Sequence, residues 1–239
     1  MKRTLCSFAL TITTVLLMSA QTGAADDAAA LNQSPNTVSL DLKFTRHNAN
    51  PLQQAMAILD WGPNGYATGF LVGDGLVMTA YHVVSGNIDG SKKAQLGFSP
   101  EDKLDVKVNV NGCQATVLKV DADADLALLG ICQSQKQARA LAFQTSPSKD
   151  DRLILIARPH GDKQVGRGVL YGPYMFRGQQ YWSAKIAARD GYSGSPVYND
   201  KAELVGVFSG YDWSNKLAVI SPAQRAQEML KDYTSKPKP

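Results

Sequence analysis

From residue 54 onward the chain is written in short apolar or alternating runs, each closed by turn residues. This texture limits the folds open to it. "AMAILDW" stops at "GPNG" and "YATGFLV" at "GDG"; "LVMTA", "KAQLGF", "LDVKVNV", "QATVLKV" and "LALLGI" follow. After a polar stretch, residues 144–151, come "RLILIA", "VGRGVLY", "YWSAKIA", "SPVYN", "ELVGVFSG" and "KLAVI". Runs of this length read as strands, and Gly-Asp-Gly between two of them is a hairpin signal. About a dozen strands with no long helical period between them argue for all-β barrels or sandwiches. The polar break divides them into two sets, which fits a first barrel over about 51–143 and a second over about 151–221.

The two ends read differently. Lys2 and Arg3 precede an apolar run, Leu5 to Met18, and then the small residues of "SAQTGAA". That is the pattern of a secretory signal peptide over residues 1–24, cleaved after Ala24 or Ala25. The run is short for a bilayer span and no stop-transfer pattern follows it. Residues 25–50 carry weak periodicity and are expected to be a loosely ordered mature N-terminus, with one short element around Val38–Phe44. At the other end, "SPAQRAQEMLKDY" supplies Ser221 as N-cap, Pro222 as first helical residue, and an apolar stripe of Ala226, Met229, Leu230 and Tyr233. A helix over 222–232 is expected on the second barrel, with a loose tail over 234–239.

Export changes the accounting. Removing Lys2 and Arg3 leaves 23 of the 25 basic residues against 21 acidic ones, a net charge of +2 rather than +4. No Lys/Arg cluster argues for nucleic acid. An apolar share of 44% supports a packed core, and 19% charge is too low for a disordered chain. Cys6 leaves with the leader, so Cys113 and Cys132 remain, and a disulfide is the default in an oxidising compartment. The alternative is two buried free thiols.

"RDGYSGSPVYND", residues 189–200, sets Ser193 among glycines before a strand. A nucleophilic serine needs a base within hydrogen-bond reach. The chain has three histidines, His47, His82 and His160, and none follows residue 160. The order nucleophile, acid, histidine is therefore closed to Ser193, while histidine, aspartate, serine stays open. His82 follows an apolar strand in "VMTAYHVV"; His160 sits in a polar Pro/Gly loop and His47 in the N-terminal region. Asp125 stands directly before the apolar "LALL", which draws its carboxylate toward the interior and an imidazole partner. Asp121 and Asp123 read as turn residues.

"TAYHVV", "DADLALL" and "GYSGSPV" together resemble the three signature segments of chymotrypsin/trypsin-like serine proteases, with the bacterial glutamyl endopeptidases and Deg/Htr protease domains most similar. The resemblance spans roughly residues 52–232. It implies two perpendicular six-stranded antiparallel β-barrels with a C-terminal α-helix. The active site would lie between the barrels, with His82 and Asp125 from the first and Ser193 from the second. Ser193 would attack a peptide carbonyl, His82 would relay its proton, and Asp125 would fix the tautomer. The N–H groups of Gly191 and Ser193 would form the oxyanion hole. Protein or peptide substrates are implied, with no cofactor, no metal, no nucleic acid and no membrane partner after signal cleavage. The implied location is the periplasm or the exterior. Relatives of the Deg/Htr group continue into PDZ domains, whereas this sequence ends after one helix, and a monomer is expected.

The sequence departs from the family at three places. Tyr192 stands where animal members carry the aspartate that pairs with a freed N-terminus. Ala187, with Ala188 beside it, stands where trypsin-like specificity wants a carboxylate. Phe208 precedes Ser209 where glutamyl endopeptidases place a histidine. With Tyr211 narrowing the pocket, Ala187, Ala188, Ser209 and Tyr211 point to a small or medium apolar side chain at P1. Two other readings stay open: a binding or effector protein on the same fold with weak or lost catalysis, and an esterase using the same acyl transfer.

Overall fold

The computed structural model describes residues 27–51, 63–132 and 138–235. The signal-peptide expectation, the strand expected in "AMAILDW" and most of the expected loose tail lie outside the described residues.

The first sheet holds β1 (Thr37–Arg46), β2 (Asn64–Gly73), β3 (Leu76–Thr79), β4 (Leu104–Val110), β5 (Cys113–Gln114), β6 (Thr116–Asp121) and β7 (Leu126–Gly130), in the order β5-β4-β1-β2-β3-β7-β6. The edge strands β5 and β6 are one stretch of chain interrupted at Ala115, whose N–H still reaches Val108 O at 2.8 Å. That stretch pairs with β4 at one end and β7 at the other, so the seven assigned strands make a barrel of six. The Cys113–Cys132 disulfide, with Cα atoms 5.9 Å apart, joins this stretch to the chain leaving β7.

The second sheet holds β8 (Ala142–Phe143), β9 (Arg152–Ala157), β10 (Gln164–Phe176), β11 (Gln179–Ala184), β12 (Pro196–Tyr198), β13 (Glu203–Asp212) and β14 (Leu217–Pro222). Strand β12 pairs with both β9 and β13, which closes a ring of six, and β8 lies outside it, parallel to β13. The number expected for each barrel is therefore present, with the edge strand of the first interrupted at Ala115 and one short strand, β8, added to the second. Short helices α1 (Tyr81–Val84) and α2 (Gly90–Gln95) belong to the first barrel, and the C-terminal helix α3 (Ala223–Thr234) covers the seam.

Continuous apolar runs make sense here because their strands are buried on both faces. Along β9, Leu153, Leu155 and Ala157 fill the second barrel, while Ile154 and Ile156 face the layer between the barrels. Along β7, Leu126 and Leu128 join that same layer and Leu129 fills the first barrel. The intervening layer also takes Phe70 and Met78 from the first barrel, Tyr198 and Val207 from the second, and Ala226 and Met229 from α3. The two barrel interiors are thus separate apolar cores, joined by a third that lies between them.

Three expectations need correction. The short element expected around Val38–Phe44 is β1, but the described residues around it, 27–50, are not loosely ordered: β1 is flanked by β2 and β4, and its Leu40 is fully buried. Residues 27–36 are pinned as well, by Arg167 Nε on Asp27 Oδ2 at 2.5 Å and by Arg139 N–H on Asn36 Oδ1 at 2.9 Å. The weak periodicity arises because polar groups anchor this segment. "KAQLGF" forms no strand. It lies partly in α2, whose N-cap Asp89 accepts from Lys92 N–H at 3.0 Å, and the helix formers Lys92–Gln95 outweigh the strand pattern. Ser221 is not the N-cap of α3: it stays in β14 opposite Val207, its hydroxyl donates to Ala124 O at 2.5 Å, and Pro222 takes the cap position.

Candidate functional site

The imidazole comes from α1, a single turn that follows β3. His82 is held at both ends by one carboxylate: its backbone N–H donates to Asp125 Oδ1 at 2.8 Å, and its Nδ1 lies 2.8 Å from Asp125 Oδ2. Nε2 lies 2.9 Å from Ser193 Oγ. Hydroxyl, imidazole and carboxylate are thus hydrogen-bonded in series, within the range of productive contacts. The His82 side chain is 37% exposed and that of Asp125 only 14%, so the ring faces the cleft while the carboxylate sits behind it.

Asp125 closes the turn between β6 and β7 with φ at 53°, a left-handed conformation that aspartate tolerates better than most residues. Donors from the second barrel hold this turn. Tyr181 Oη–H donates to Asp123 O at 2.7 Å, Ser221 Oγ–H to Ala124 O at 2.5 Å, and Ser209 Oγ–H to Asp125 Oδ2. Burial, reinforced by the nearby carboxylates of Asp125 and Asp121, pushes the Tyr181 phenol up to about 12, so it remains a donor.

The serine loop shows why glycine flanks the hydroxyl. Gly191 has φ at 82°, and a Cβ there would lie 2.5 Å from two ring carbons of Tyr66. Gly194 has φ at 81°, and its Cβ would meet Thr79 Oγ1 at 2.1 Å and Thr68 O at 2.2 Å. Neither the Gly191 nor the Ser193 N–H donates to an acceptor among the described residues, while Gly194 N–H is used on Phe208 O at 2.8 Å.

Of the four residues expected to line the P1 pocket, Ser209 and Tyr211 border a cavity of about 870 Å³ together with His82, Tyr174, Phe176 and Tyr181. Ala187 is exposed, Ala188 packs against the second-barrel core, and neither borders that cavity. Sequence reasoning missed the carboxylate contact of Ser209. Tyr192 is buried, with its ring edge-on to Phe208 and its hydroxyl donating to Gln164 Oε1 at 3.0 Å. The other two histidines have other partners: His47 faces Asp105 at 3.0 Å, and the His160 ring lies tilted at 43° against Tyr66 with centroids 3.6 Å apart. Among the described residues no group of three or more His, Cys, Asp or Glu is placed to hold a metal, and no helix is long and apolar enough to cross a membrane.

A double barrel with serine, histidine and aspartate in series at its seam has the architecture of a trypsin-like serine peptidase. Residues 67–207, more than half of the chain, match the family model described as a trypsin-like peptidase domain, and the chain belongs to this family of serine endopeptidases. Among solved structures it is similar to Deg5, with 17% identity, a TM-score of 0.59 and coverage of 87% of this chain and 93% of that one. It is likewise similar to the Rv3671c protease of M. tuberculosis in its active form, with 16% identity, a TM-score of 0.57 and coverage of 99% and 96%. The inactive form of that protease scores the same, 0.57 at 16% identity, over 89% and 96%. At such identity these likenesses concern the fold. A comparison with curated proteins returns no match.

Proposed function

We propose that this protein is an exported serine endopeptidase that cleaves peptide bonds through an acyl-enzyme, with His82, Asp125 and Ser193 as its triad and the N–H groups of Gly191 and Ser193 as its oxyanion hole. The observation that carries the reading is the unbroken run from Asp125 Oδ2 through both ring nitrogens of His82 to Ser193 Oγ, with contacts of 2.8 and 2.9 Å. In this reading Asp125 keeps the proton on Nδ1, which leaves Nε2 free to accept the Ser193 proton as Oγ attacks the carbonyl carbon. The carbonyl oxygen takes up negative charge facing the two free N–H donors. His82 then delivers that proton to the leaving amine, and water repeats the sequence on the ester.

Export rests on the leader pattern of residues 1–24, and the Cys113–Cys132 crosslink suits the periplasm or the exterior. The aromatic wall of the cavity beside His82, formed by Tyr174, Phe176, Tyr181 and Tyr211, suits apolar substrate side chains, with a small or medium apolar residue at P1. The test is a fluorophosphonate probe followed by casein hydrolysis. Native protein should label and cleave, while Ser193→Ala and heat-denatured protein should do neither. Cleavage that survives in Ser193→Ala would end this reading. Labelling with ester turnover but no casein cleavage would make the protein an esterase.

A further inference from the structure

Resting on that triad reading, we infer that Thr68 is the positioning residue of the oxyanion hole, reaching from the first barrel to hold the nucleophile loop of the second. Thr68 lies on β2 and is fully buried, so each of its polar groups needs a partner. Its N–H donates to Ser193 O at 2.9 Å. Its Oγ1–H donates to Gly191 O at 2.8 Å and accepts from Arg158 N–H at 3.0 Å. Its own C=O accepts from Thr79 Oγ1–H at 2.8 Å.

The two residues whose N–H groups would face the oxyanion are thus the two whose carbonyls Thr68 holds, one with its main chain and one with its side chain. The arrangement works through backbone geometry. Gly191, lacking a Cβ, has little intrinsic preference between its φ at 82° and other conformations, so tertiary contacts must select the productive one. Fixing its carbonyl sets the peptide plane that follows it, and fixing the Ser193 carbonyl sets the plane after the nucleophile. The Tyr192 carbonyl, which lies between these two anchors and shares its peptide with the Ser193 N–H, accepts from Ser195 N–H at 2.9 Å. The main-chain anchor is open to any residue at position 68. The Gly191 anchor needs a hydroxyl there, and Thr68 supplies one whose second role, accepting from Arg158, fixes the direction in which it donates. Thr68 touches no reacting atom. It acts through the loop, so its removal should lower kcat and leave KM nearly unchanged.

The experiment compares Thr68→Val, which keeps the shape and drops the hydroxyl, with Thr68→Ser, which keeps the hydroxyl and drops the methyl. Turnover of a peptide amide is measured per folded molecule. A displaced donor in such a hole costs about 10- to 100-fold in rate. Thr68→Val should therefore lose kcat by about that factor with KM within about twofold, and Thr68→Ser should stay within about threefold of wild type. If Thr68→Val does not fold, Thr68→Ala removes the same hydroxyl without adding bulk and takes its place. Full activity in the hydroxyl-free variant, or an equal loss in Thr68→Ser, would overturn the assignment, the latter making packing the cause. Failure of the triad reading looks different, since activity would then survive Ser193→Ala whatever stands at position 68.

Discussion

Replacing Asp125 by Asn tests the tautomer logic most directly, because the structure says which way the new amide must face. In the wild type one carboxylate oxygen receives the His82 backbone N–H at 2.8 Å, and the other receives Nδ1 at 2.8 Å and the Ser209 hydroxyl. An Asn side chain has only one oxygen. If its amide nitrogen faced the backbone, two donors would meet at a group that cannot change its proton, at a cost of about 1–3 kcal/mol. If it faced Nδ1 instead, the imidazole could move its proton to Nε2 and the Ser209 hydroxyl could turn to accept. The second arrangement costs less, and it puts a proton on the nitrogen that must accept from Ser193. The variant should therefore fold normally while kcat falls about 10,000-fold, or about 5 kcal/mol of barrier. The assay is single-substrate kinetics on a peptide amide, with thermal unfolding as the folding control. An Asp125→Asn protein that melts with the wild type and keeps kcat within about tenfold would refute the reasoning.

Three other outcomes are expected. Replacing Cys113 and Cys132 together by Ser removes a crosslink spanning 19 positions, which should cost about 3 kcal/mol and lower Tm by about 6–12 °C; a Tm within about 1 °C of wild type would show the crosslink to be idle. Gly194→Ala should fail to give active protein, because the new Cβ would press on Thr79 Oγ1 and Thr68 O in a left-handed conformation; soluble, active protein would contradict the close approach. Stability should fall as pH rises from about 10 toward 12, since the unfolded chain releases the Tyr181 proton across that window while the folded chain retains it; Tyr181→Phe should make that part of a denaturation-versus-pH curve less steep, the remainder coming from the raised phenols of Tyr198 and Tyr174.

Much of this protein was legible in one dimension. Strand texture is local: a β-run buried on both faces, such as "RLILIA", needs apolar side chains at every position, and that can be read without knowing what covers it. The candidate nucleophile, base and acid were legible because the chemistry restricts residue types and the chain offers only three histidines in one usable order. What stayed hidden depends on contacts between segments far apart in the sequence. The alternation of Val38, Leu40, Leu42 and Phe44 announced an element where β1 runs, but the anchoring of residues 27–36 by Arg167 and Arg139, more than a hundred positions away, could not be read from that segment's own pattern. Ser221 looked like a helix cap until its hydroxyl had a carbonyl across the seam, and Ser209 looked like pocket lining until its hydroxyl met Asp125.

By itself the sequence determined the two sets of strands, the closing helix and the three side chains with the right chemistry for acyl transfer, since each follows from residue type and short-range period. Only the tertiary structure decided how these parts are held. Second-barrel hydroxyls steady the Asp125 turn, and Thr68 of the first barrel steadies the Ser193 loop, so each barrel fixes the other's contribution to the cleft. A hydroxyl can serve many partners, and which one it serves is set by where the fold leaves a buried carbonyl or carboxylate in need of a donor.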